Sequence, residues 1–194
     1  MAIPARLRDS LALTALLAAC GGGPQAPDWQ SSAAQAMQAF QRLYLAGDTA
    51  SAEAEFRLAR SELARTGRAE LVARAELVRC AVRAASLEFD ACPQFERLRD
   101  GASAEEIAYA DYLAGNGRRR AGDEPLSRLV AQAVQLKTGA ITPAGIAAAV
   151  DIASAQGWRR PLLAWLGVQL KRAEQAGDGE TAARLRRRID LVSG

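Results

Sequence analysis

The residues with the most chemistry to offer in this chain are three cysteines, Cys20, Cys80 and Cys92, and there is no histidine. Without histidine a Ser–His–Asp or Cys–His centre cannot be assembled, and the commonest transition-metal ligand is missing. Two thiols fall short of the four ligands of a structural zinc site, so neither metal nor cofactor is expected. Carboxylates remain as acids and bases. Glycoside hydrolysis needs two across a cleft, in surroundings that separate their pKa values. The closest pairs are Glu105-Glu106 and Glu53 with Glu55. Glu105-Glu106 follows Ser103 in the order of a helix cap, where acids favour the positive end of the helix dipole. Glu53 and Glu55 have the character of a solvated helix face. No glycine-rich phosphate loop is present, and the chain reads as a non-enzyme.

The N-terminus carries a different signal. Arg6 and Arg8 make a basic start, followed by an apolar run from Leu11 to Ala19. That run is far short of the roughly 20 apolar residues of a spanning helix and has the form of a secretion signal. It ends in Leu17-Ala18-Ala19-Cys20, which resembles the lipobox of bacterial lipoproteins. The resemblance implies cleavage before Cys20, removal of residues 1–19, and lipid on the Cys20 thiol. Asp9 departs mildly from the usual basic start. Gly21 follows the cysteine where inner-membrane lipoproteins of enteric bacteria typically carry aspartate, so the resemblance points to the outer membrane facing the periplasm. Residues 20–30, with Gly21-Gly22-Gly23-Pro24 and Pro27, read as a flexible tether. Residues 31–194 are long enough for one domain with its own core.

With Cys20 committed to lipid, Cys80 and Cys92 form an isolated pair, a natural disulfide candidate in an exported protein. A loop of this size is assigned about 3 kcal/mol by the chain-entropy model. Cys80 falls inside a helical pattern, so that helix must end early for the two Cα atoms to approach within about 7 Å. Two buried free thiols are the alternative.

The elements that position these residues are all helical. Ala, Leu, Arg, Glu and Gln dominate, and no run alternates like a strand. Apolar residues recur at helical spacing: Met37-Phe40-Tyr44, Ala52-Phe56-Ala59-Leu63, and Leu71-Ala75-Val78-Val82-Ala85-Phe89. Further stripes are Leu126-Leu129-Val130-Ala133, Ile146-Ala149-Val150-Ala153, Leu162-Leu163-Leu166-Leu170 and Leu185-Ile189-Val192. Ser103 to Glu106 reads as a capping box, and Thr142-Pro143 as a cap followed by a first-turn proline. Gly47, Gly67, Gly117, Gly122, Gly139, Gly157 and Gly177 fall where helix ends need a left-handed residue. The expected fold class is all-α, with seven or eight helices in antiparallel hairpins.

Helix-pair starts near Ser31, Arg68, Ser103 and Thr142 recur at the interval of helix-hairpin repeats. Gly47-Asp48, then Ala52, Phe56 and Ala59, resembles the turn and second helix of a tetratricopeptide repeat. Gly177-Asp178, Ala182 and Ile189 repeat part of that pattern, with Arg186 in place of the aromatic. Phe40 stands where that family has a small residue, and Ala64 where it has proline. The fold implied is a tetratricopeptide-like solenoid, with an irregular helical bundle as the alternative.

A formal charge of +3 is small, and no concentrated basic patch of the kind that binds nucleic acid stands out. Arg118-Arg119-Arg120, Arg159-Arg160 and Arg186-Arg187-Arg188 are read as helix ends and exposed faces. Trp158 beside Arg159 and Arg160 has the composition of an interface hot spot. The resemblance to tetratricopeptide lipoproteins implies a membrane-anchored adaptor for an envelope protein, bound in a groove near Gln41, Tyr44 and Arg74. A small peptidoglycan hydrolase or its regulator, and a structural lipoprotein without a dedicated partner, are the competing readings.

Overall fold

The computed structural model describes residues 27–119 and 121–194. The lipobox, Cys20, the tether up to residue 26 and Arg120 lie outside the described residues. Within them the order is α1 (Asp28–Ala46), α2 (Thr49–Ala64), α3 (Ala69–Ala85), α4 (Pro93–Glu96), α5 (Ala104–Ala114), α6 (Pro125–Lys137), α7 (Pro143–Ala155), α8 (Arg159–Gln175) and α9 (Gly179–Ser193). A short 3-10 turn, Arg99–Gly101, separates α4 from α5. The described residues contain no strand, and the chain is all-α as expected. None of these helices is long and apolar enough to cross a membrane.

Side chains close five of the nine α-helix starts among the described residues. Asp48, Ser103, Glu124, Thr142 and Asp178 each accept a backbone N–H three residues on, which satisfies one of the free donors of a first turn. At Ser103 the box is complete, because the Ser103 N–H donates to Glu106 Oε2 at 2.9 Å. Helix α1 begins at Asp28, so residues 28–30 are helical and the stretch read as tether ends sooner. At the other end of α1, Gly47 takes φ 104° and its N–H donates to the Leu43 and Tyr44 carbonyls. Gly122 does not take the left-handed conformation, whereas Gly115, not anticipated, does so and caps α5.

Two apolar clusters make the interior. Phe40, Tyr44, Ala52, Phe56, Ala75 and Val82 form one between α1, α2 and α3. The other runs from α3 through α5, α6, α7 and α8, and includes Phe95, Leu129, Ile146, Trp165 and Leu166. Half-buried Leu126 and Trp158 touch both. Ala52 and Ala59 are fully buried, which lets α1 and α2 approach closely. The wide pairing of α1 with α2, α7 with α8 and α8 with α9 is that of hairpins, but α5 and α6 barely meet, and α3 packs against α6 instead. Helix α8 also reaches back to α1. In a linear solenoid each unit touches only its neighbours, so these helices close on themselves as a bundle.

Helix α3 stops at Ala85, four residues before the end of its predicted stripe. Phe89 is therefore exposed, with the Lys137 ammonium 5.7 Å from its ring centre. The chain reverses through Leu87 and Cys92, both left-handed at φ 61° and 48°. The early stop brings Cys80 and Cys92 to disulfide distance, with Cα atoms 5.9 Å apart.

Candidate functional site

A groove runs across the face where α1, α3, α5 and α6 meet. One part is a cavity of about 390 Å3 lined by Arg74, Leu77, Val78, Ser103, Glu105, Glu106, Tyr109 and Arg119. The other, about 200 Å3, is lined by Gln41, Val78, Ala81, Tyr109, Glu124, Leu126, Ser127 and Val130. Val78 and Tyr109 line both, so the two parts are adjacent. The floor is apolar and the rim carries both signs of charge.

Tyr109 is central to the groove. It lies on α5 three residues before Tyr112, and their ring centres are 6.0 Å apart. Burial, reinforced by neighbouring Tyr112, pushes its phenol up to about 12, so it stays neutral and able to donate a hydrogen bond. The Arg119 guanidinium sits 5.1 Å from its ring centre. Arg119 also meets Glu105 at 3.4 Å.

Glu106 is tightly held. Arg74 Nε donates to its Oε1 at 2.8 Å while the Ser103 N–H takes Oε2. Burial raises the carboxyl, but those two hydrogen bonds and the Arg74 charge outweigh it and hold Glu106 below the ordinary glutamate range. A carboxylate kept ionised in this way is poorly suited to general acid work at neutral pH. Because its pKa is lowered on folding, Glu106 contributes stability above the unfolded carboxylate value, about 4.3, and loses it as pH falls through the folded value. Glu106→Gln is therefore expected to flatten the fall of melting temperature on acidification below about pH 4.3. Identical acid profiles for the two chains would show that this carboxylate contributes nothing through its ionisation.

Of the second acid pair, Glu53 is not on a solvated face as expected but is half-buried and ion-paired. Arg79 Nη2 donates to both oxygens of Glu53, at 2.9 and 2.8 Å, and lies over the Phe56 ring at 4.9 Å. Arg60 Nε meets Glu76 at 2.9 Å across the same α2–α3 seam. Glu53, Glu105 and Glu106 thus each face an arginine.

The residues predicted to meet a partner separate into two groups. Gln41 and Arg74 both line the groove. Tyr44 does not. It is only 2% exposed, because the α1 stripe that carries Phe40 carries Tyr44 one turn later. Burial and a hydrogen bond with Glu88 push its phenol well above the usual tyrosine range, and its surface is unavailable to a partner. Arg160 covers it, with the guanidinium 4.2 Å from the ring centre. The same side chain donates to the Tyr44 carbonyl at 2.8 Å, to the Gly47 carbonyl at 3.2 Å, to Thr49 Oγ1, and to Glu88 at 3.2 Å. Trp158 is packed at the junction of the two clusters. Arg159 reaches the Ser193 carbonyl at 3.3 Å. These three residues tie helices together.

Tyr109 is one groove residue that the sequence reading passed over, beside Leu77, Ala81, Glu124 and Ser127. Its spacing to Tyr112 and Leu113 was a readable helical stripe, although nothing in it marked the side facing a groove. The other arginines fall largely on helix flanks, with Arg186 on Glu174 and Arg188 at 3.3 Å from Ser154 Oγ. The sequence matches no protein-family model and no curated protein, and the fold matches no solved structure.

Proposed function

We propose that this chain is a lipid-anchored, non-enzymatic adaptor of the bacterial cell envelope, whose groove between α1, α3, α5 and α6 receives a segment of a partner protein. The observation that carries the reading is the groove itself: an apolar floor of Leu77, Val78, Ala81 and Val130 beneath a rim of opposite charges. Such a layout, apolar at the centre and polar at the edge, is that of a protein interface. The anchor is inferred from the lipobox at Cys20, the outer membrane from Gly21, and the Cys80–Cys92 bond from the disulfide distance together with export. Arginine partners at Glu53, Glu105 and Glu106 weigh against the hydrolase reading.

Photo-crosslinking in cells tests the adaptor reading directly. A crosslinker in place of Gln41 or Arg74 is expected to capture one defined envelope protein, and one at Leu58, exposed on α2 outside the groove, is not. Val78→Glu is expected to lower the yield about tenfold, the equivalent of about 1.4 kcal/mol. Equal capture from Leu58 would reject the groove. Peptidoglycan turnover by the wild-type chain, lost in Glu105→Gln or Glu106→Gln, would replace the adaptor by the hydrolase.

The anchor has a separate test. Cys20→Ser is expected to accumulate unprocessed precursor and to abolish fatty-acid labelling. Normal processing and labelling of that variant would refute lipidation at Cys20.

A further inference from the structure

We propose that Cys80, Cys92 and Asp90, when the two sulfurs are in the thiol form, bind one thiophilic divalent cation. The inference is independent of the groove. Both Sγ atoms and a carboxylate oxygen of Asp90 lie within 4.8 Å of one another. Around a zinc-sized ion, with bonds of about 2.3 Å to sulfur and about 2.0–2.2 Å to carboxylate oxygen, neighbouring donors stand roughly 3.5–4 Å apart. The Cα atoms of Cys80 and Cys92, 5.9 Å apart, suit that spacing, so the sulfurs need only side-chain rotation to separate. A sequence count of cysteine and histidine gives two ligands. The fold supplies the third by turning the segment after α3 back on itself, which sets Asp90 beside both thiols.

The surroundings of Asp90 support a ligand role. Arg83 Nη1 meets one carboxylate oxygen at 2.9 Å, and the Cys92 N–H donates to the other at 2.9 Å. Hydrogen bonds of this kind orient a metal-binding carboxylate. Arg83 Nε also lies 3.7 Å from Glu88, so Arg83 keeps an anionic partner if Asp90 turns towards an ion. Two thiolates and a carboxylate around a doubly charged cation leave one net negative charge, which Arg83 offsets. Asp90 remains partly exposed, which leaves a route for the ion and a fourth position for water.

The redox step balances with a dithiol reductant. The sulfur–sulfur bond breaks, two electrons and two protons pass to the Sγ atoms of Cys80 and Cys92, and the reductant closes to its own disulfide. The cation then displaces both thiol protons to solvent as two metal–sulfur bonds form, and that step transfers no electron. Metal binding and oxidation therefore compete for the same two sulfurs.

The test uses the full chain carrying Cys20→Ser, so that Cys80 and Cys92 are its only thiols. Reduced protein is titrated with Cd2+ alone, read by thiolate-to-metal absorption in the ultraviolet and by equilibrium dialysis. One ion per chain is expected, with the absorption lost in Cys80→Ser and in Cys92→Ser and absent from the oxidised chain. Asp90→Asn is expected to bind at least about tenfold more weakly, and Asp90→Glu to recover part of that loss. No absorption in the reduced chain, or equal affinity in Asp90→Asn, overturns the proposal. Binding only by a reduced chain that has lost its helical circular dichroism overturns it too, because two thiols of an unfolded chain then suffice.

Discussion

Replacing Trp165 by alanine is expected to destabilise the fold by about 3–5 kcal/mol, among the largest losses from a single truncation of the described residues. Trp165 is fully buried at the centre of the larger cluster, where α8 meets α3. Its indole N–H donates to the Ala85 carbonyl at 3.1 Å, at the point where α3 stops and the last carbonyls of a helix lack intrahelical partners. The truncation therefore opens a cavity and leaves a buried acceptor unmatched, and the two costs add. For a domain of this size the melting temperature should fall by roughly 6–20 °C. Trp165→Phe separates the contributions, because it keeps most of the packing and loses the hydrogen bond, with an expected cost of about 1–3 kcal/mol. An alanine variant that melts within about 2 °C of the parent would mean that the cluster repacks around the gap.

Arg160 carries the second large effect. Arg160→Ala is expected to cost about 2–4 kcal/mol, since hydrogen bonds from a charged donor contribute roughly 1.5–3 kcal/mol and the stacking on Tyr44 is lost with them. The side chain is only 22% exposed, so water replaces these contacts poorly. Arg160→Lys should recover little, because a single ammonium cannot reproduce a planar fork that serves two carbonyls, a hydroxyl and a carboxylate at once. Neighbouring Arg159, which is exposed and holds one carbonyl at 3.3 Å, is the control, and Arg159→Ala should stay within about 0.5 kcal/mol. Hydrogen exchange locates the damage. Amides around Gly47 and Thr49 are expected to lose protection in the Arg160 variants while those of α6 and α7 keep theirs. Uniform loss across all helices would show a general destabilisation instead of an opened joint.

Local rules made much of the fold readable. Ser103 with Glu106, Thr142 with Pro143, and the glycines at 47, 67, 139, 157 and 177 each act within a few residues of themselves, so their spacing alone states the outcome. Eight helices of eleven residues or more, beside the four-residue α4, agree with the seven or eight helices expected. Where two local signals compete, the sequence misleads. Gly115 and Gly117 are both left-handed, but only Gly115 caps α5, while Gly122 resembles them and behaves differently. Tyr44 was readable either as part of the Phe40 stripe or as a partner contact, and burial of its ring decided for the stripe.

The site was less legible, and the reason is distance along the chain. Gln41, Arg74 and Tyr109 come from three helices and share a groove only after α3 has packed between α1 and α6. Arg160 was legible as one of a basic pair beside a tryptophan, a composition that suits an interface. Its partners are Tyr44, Gly47 and Thr49, more than a hundred residues earlier, and no spacing rule reaches that far. Asp90 stayed hidden for a related cause: it becomes a neighbour of Cys80 only because α3 ends early at Ala85.

The contact of α8 with α1 also sets an order of events. A chain made or threaded from its N-terminus presents α1 and α2 first, and domains generally fold in that direction. Here the turn of the first hairpin lacks its Arg160 contacts until most of the domain has emerged. Closing contacts across that span costs loop entropy before any of them returns free energy, so the turn at Gly47, among the first segments to appear, should be among the last to become rigid. During that interval the edge that Arg160 finally covers, with Tyr44 and the turn at Gly47, is open to any chaperone that meets the growing chain.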